Sequence, residues 1–132
     1  MNKYNFFLIV LSLTILSCGY NNDKLKIYNK SNGPICYETL IKDAEGTYFQ
    51  VSSGDCIDMG KISSPPLIGS IEYKMEQSSI DKILYIVYYN RKNEEYVYKN
   101  LKTIVNDENY KTEKYTLESL NRAQWKVIYS GE

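Results

Sequence analysis

Histidine is absent from this 132-residue sequence. That removes the commonest general base, proton shuttle and metal ligand. Ser-His-Asp and Cys-His mechanisms are excluded, as are His-ligated zinc sites. An excess of one charge sign is missing too: 16 basic side chains balance 16 acidic ones. The chain therefore offers neither the electrostatic footprint of a nucleic-acid binder nor a broad basic surface for anionic lipid. Proline and cysteine each occur three times and tryptophan once. Long apolar runs are lacking as well. The longest, Phe6 to Leu16, has eleven residues interrupted by Ser12 and Thr14, well below the ~20 needed to span a bilayer.

What is present begins with that run. Lys3 and the free amine precede it, and Ile15-Leu16-Ser17-Cys18 closes it just before the polar, turn-like Gly19-Tyr20-Asn21-Asn22. A short apolar core followed by a small residue fits a secretory signal better than an anchor helix. An ordinary signal peptidase site, with Cys18 there by chance, is the alternative. The stretch resembles the lipobox of bacterial lipoproteins, with Ile15, Ser17 and Cys18 at its aliphatic, small and cysteine positions. The resemblance implies that residues 1–17 are removed and that Cys18 carries a diacylglycerol and an N-acyl chain, with no other cofactor. Gly19 after the cysteine, rather than aspartate, implies the outer membrane of the cell envelope. Residues 18–24 then form a lipidated tether, and residues 25–132 one domain. Removing residues 1–17 of 132 leaves 115 residues, enough for a single hydrophobic core.

Leu25 and Ile27 alternate with polar neighbours as a first strand. Asn29 to Pro34 is a turn by composition. Ile35 to Ile41 is a strand with Ile35, Tyr37, Thr39 and Ile41 on one face and Cys36, Glu38 and Leu40 on the other. Thr47 to Val51 returns from a hairpin. Ser52 to Ser70 is expected to be a long loop with one short edge strand near Cys56 to Met59. Ser70 to Glu76 alternates and is expected to be a strand. Ile83 to Tyr89 is apolar on both faces and predicts a central strand covered on both sides. Glu95 to Val105 fits either a helix or a strand, and a strand to Lys99 is the reading taken. Asn106 to Thr112 reads as a loop. Thr116 can cap a short helix through Leu117 and Leu120 to about Arg122. Trp125, Val127 and Tyr129 are the inward positions of a last strand, with Trp125 in the core. The sum is a mostly β, single-domain antiparallel sandwich with one short helix before its last strand.

With Cys18 lipidated, Cys36 and Cys56 are an even pair in an exported chain, which reads as a disulfide. Closing about 20 residues would contribute roughly 3 kcal/mol. Two separate buried thiols are the alternative, and no metal site is expected. The acidic pairs Asp55/Asp58, Glu94/Glu95 and Asp107/Glu108 fall in expected turns and read as solvated carboxylates. Tyrosine is abundant, at 14. Tyr88, Tyr89, Tyr96 and Tyr98 lie around one expected hairpin. On a shared exposed face they could stack on sugar rings or anchor a protein, and Tyr48 is a further outward candidate.

The ending Lys114-Tyr115-Thr116-Leu117-Glu118-Ser119-Leu120 … Trp125-Lys126-Val127-Ile128-Tyr129 resembles that of small Bacteroidetes-type lipoproteins with no agreed activity, as does the opening Leu25 to Ile35. Ser130-Gly131 departs from that pattern, where proline is common. The expected function is a membrane-anchored, non-catalytic protein-interaction or structural module of the envelope. A glycan-binding lipoprotein using exposed tyrosines is the second reading, and an envelope inhibitor or immunity protein the third. Enzymatic activity ranks last, and no nucleic-acid partner is expected.

Overall fold

In the computed structural model, residues 24–65 and 70–131 are described. Cys18 and its neighbours lie outside them. The described chain is mostly β, with two sheets and short helices. The strands are β1 (Lys26–Asn29), β2 (Ile35–Lys42), β3 (Tyr48–Ile57), β4 (Ile62–Ser63), β5 (Ile83–Tyr89), β6 (Lys111–Thr116) and β7 (Lys126–Tyr129). The helices are α1 (Ile71–Ser78), α2 (Glu94–Lys99) and α3 (Leu117–Arg122), with single 3-10 turns at Arg91–Asn93 and Ile104–Asn106. One sheet has the order β4-β1-β7 and the other β3-β2-β5-β6. All pairings are antiparallel except β1 with β7.

The two faces of β2 separate as its alternation dictates. Ile35, Tyr37 and Ile41 join Leu84, Ile86 and Tyr88 of β5 in a core shared with Leu25, just before β1, and with Ile27 and Val127 of the smaller sheet. Cys36 and Leu40 join Tyr85, Val87 and Tyr89 in a second core, covered by Val97 and Ile104 of the segment after β5. The central strands β2 and β5 are thus buried on both sides, as the apolar run Ile83 to Tyr89 implies. Trp125 sits in the first core, and its indole Nε1 donates to Asn121 Oδ1 at 2.9 Å. Thr116 caps α3 by accepting from Ser119 N at 3.1 Å.

Four elements differ from the sequence reading. Ser70 to Glu76 is not a strand, because its buried residues Ile71 and Met75 are four apart and satisfy a helix as well as an alternation. Ser70 caps that helix by accepting from Tyr73 N, Tyr73 points to solvent, and Lys, Met, Glu and Gln favour helix. Glu95 to Lys99 is also helical. Only Val97 is buried there, acidic residues open the helix and Lys99 ends it in an ion pair with Glu95. Residues 52–57 are no loop but the continuation of β3. Lys111 to Thr116 is an edge strand built from polar residues, with Lys111 and Lys114 guarding the open edge.

Candidate functional site

The continuation of β3 passes through a bulge. Tyr37 pairs with Asp55 and Thr39 with Ser52, so Ser53 and Gly54 together oppose Glu38. This aims the fully buried Glu38 carboxylate at a ring of donors. Its Oε2 accepts from Gln50 Nε2 at 2.6 Å and from Gly54 N at 3.1 Å, and its Oε1 accepts from the Tyr89 hydroxyl at 3.3 Å. The Tyr98 hydroxyl also hydrogen-bonds this carboxylate. All these donors are neutral. Burial therefore pushes the Glu38 carboxyl above the ordinary carboxylate range, against the lowering effect of the hydrogen bonds. Burial, and then the charge of Glu38, raise the Tyr89 hydroxyl as well.

Immediately past the bulge, Cys36 and Cys56 stand directly opposite one another and form a disulfide. They line a cleft of about 450 Å³ with Pro34, Asp58, Asn90, Arg91 and Lys92. A smaller hollow of about 160 Å³ adjoins it, sharing Cys56 and Arg91 and lined further by Gly54, Asp55, Tyr89, Glu94 and Tyr98. Cys36 is buried and Cys56 partly exposed. Among the described residues, the side chains of Arg91 and Lys92 have no ion-pair partner. Asp55 accepts from Cys56 N and Ser63 Oγ and is thereby occupied. Among the described residues no three His, Cys, Asp or Glu side chains converge as a metal site.

The four tyrosines are not gathered on one surface. Tyr88 is 2% and Tyr89 4% exposed, and they point into different cores, whereas Tyr96 and Tyr98 are about half exposed on α2. Tyr48 is buried with its ring edge-on to Tyr85 at 5.1 Å. Many of the hydroxyls instead serve carboxylates. Tyr88 and Tyr115 donate to Glu113, Tyr85 to Asp81 and Tyr96 to Asp107. Asp81 is desolvated, but hydrogen bonds from Tyr85, Ser79 and Ile83 N outweigh this and hold its carboxyl below the usual range. Asp107 is fastened by Asn109 in its turn. Of these pairings, only those close in sequence, such as Asp81 with Tyr85, left a spacing that could have been read.

A second surface was not visible in the sequence. Ile27, Asn29 and Val127 face inward, so Tyr28 and Ile128 face outward from the smaller sheet. Tyr28 pairs with Ile62 on one side and Ile128 on the other. The result is an apolar row across three strands, with Ile62 53% and Ile128 51% exposed. Lys26 and Lys126, paired with each other, lie two residues earlier on the same face.

Comparison with protein-family models, curated proteins and solved structures finds no match to this chain. Among the described residues no helix is long and apolar enough to cross a membrane.

Proposed function

We propose that the protein is a lipid-anchored envelope module that works by binding another protein, without catalysis. The observation that carries this reading is the exposed row Ile62–Tyr28–Ile128. Ile62 and Ile128 are about half exposed on either side of the partly exposed Tyr28, and an apolar patch rimmed by polar residues suits a protein contact. The paired Lys26 and Lys126 beside the row suit a partner with acidic residues at the rim of its contact. The Cys36–Cys56 disulfide supports an exported, oxidising location. Ile15-Leu16-Ser17-Cys18 supports attachment through Cys18, and Gly19 directly after the cysteine supports the outer membrane as its site.

The binding test is crosslinking in intact cells with the lipidated protein, comparing the native form with the double variant Ile62→Glu/Ile128→Glu. Both positions face water, so folding is retained. Capture of a discrete protein by the native form should fall at least about tenfold, the loss of one or two central contacts. An unchanged capture pattern, or glycan binding in place of protein capture, would refute the reading. For the anchor, Cys18→Ser should abolish fatty-acid labelling and release the protein from membranes. Persisting label would place the lipid elsewhere.

A further inference from the structure

We infer that the Cys36–Cys56 disulfide is a modification site that undergoes stoichiometric exchange with small anionic thiols in the folded protein. Three observations converge on it. Both cysteines line an open cleft of about 450 Å³, large enough for a small thiol. Cys56 is the partly exposed partner and Cys36 the buried one, which fixes the sulfur that is attacked. Arg91 and Lys92 line the same cleft, and their charges are not neutralised by an ion pair among the described residues. Asp58 opposes them with one negative charge, leaving the lining of this cleft net positive, while Asp55 and Glu94 line the adjoining hollow that shares Cys56 and Arg91.

The step is an in-line displacement. A thiol gives its proton to solvent, and its thiolate attacks Cys56 Sγ. The bond between the two cysteines breaks, with its electron pair leaving on Cys36 Sγ. The Cys36 thiolate then takes a proton from solvent. One thiol is consumed, one mixed disulfide forms at Cys56 and one thiol appears at Cys36, so no external oxidant or reductant is needed. Nearby cations favour this chemistry twice, by concentrating an anionic nucleophile and by stabilising the leaving thiolate.

The test uses the oxidised, folded domain with reduced glutathione as the anionic probe and cysteamine as the cationic one, at low ionic strength and without denaturant. Mass analysis should show one glutathione added at Cys56. The ratio of the glutathione rate to the cysteamine rate should fall about fivefold to tenfold in Arg91→Ala/Lys92→Ala and rise in Asp58→Asn. High salt should compress both differences. If the bond reacts only as fast as the whole domain unfolds, the site does not exist. If adducts form but the ratio is the same in all three proteins, the assigned role of the cleft charges is wrong.

Discussion

Gly54→Ala is expected to destabilise the domain by about 3–5 kcal/mol, because the new methyl group must overlap backbone and because the Glu38 hydrogen bonds are disturbed. A Cβ at this position would lie 1.9 Å from the Tyr37 carbonyl oxygen and 2.4 Å from Glu38 Oε1. The first contact is with backbone in the middle of the β2–β3 ladder, so no side-chain rotation relieves it. Either the bulge opens or the strands part. The Gly54 amide, which donates to Glu38, moves with it. In a domain of this size a loss of that order lowers the melting temperature by more than about 10 °C. Thermal melts of the two proteins decide the matter, and equal midpoints would show that the bulge adapts without cost. Gly33→Ala is the control, since nothing lies within 4 Å of its added carbon.

Glu38 gives the second large effect, and here the two replacements should diverge. Glu38→Ala strips the acceptor from Gln50, Gly54 and Tyr89 at once and leaves a hole. A loss of about 2–4 kcal/mol is expected from unsatisfied donors and lost packing. Glu38→Gln is different. Its amide oxygen can keep the bonds from Gln50 and Gly54, while its amide nitrogen donates to the Tyr89 and Tyr98 hydroxyls, which can turn and accept. The native carboxyl has a raised pKa in the folded state. The folded protein therefore holds this proton more tightly than the unfolded chain does. The stability that this provides is fully present below the unfolded value of about 4.3 and is lost as the pH rises through the folded value. Denaturant titrations should accordingly show the Gln variant gaining on the native protein as the pH is raised from about 4 to 8. A constant difference across that range would mean that Glu38 does not titrate upward in the fold.

These two residues show where the sequence was readable and where it was not. The alternation of Ile35 to Ile41 assigned Glu38 to the same face as Cys36 and Leu40, and the apolar run of β5 identified a strand with two covered sides. Thr116 declared its cap, and Trp125 its place in the core. Gly54, however, lay in a stretch rich in Ser, Gly and Asp whose local composition is that of a loop. What makes it a strand is the tertiary partner β2, and a bulge that only pairing reveals. Ile71 and Met75 fit both periods, so a capping serine and good helix formers decided in favour of α1. The tyrosines misled for a related reason. Their number is legible, but a hydroxyl that reaches Glu113 or Glu38 from a neighbouring strand leaves no mark in local spacing.

The central place of β1 in the smaller sheet has a mechanical consequence. β1 lies between β4 and β7 and starts two residues after Lys24, where the described chain begins. A pull on the segment preceding Lys24, directed along β1, loads the hydrogen bonds to both neighbours together in shear, where a force across the strand would break them one at a time. Lys24 adds a clamp at the point of loading through its ion pair with Glu72 at 3.0 Å and its ammonium 5.6 Å from the centre of the Trp125 ring. The strand nearest the proposed tether is thus held from both sides against being drawn out of the domain.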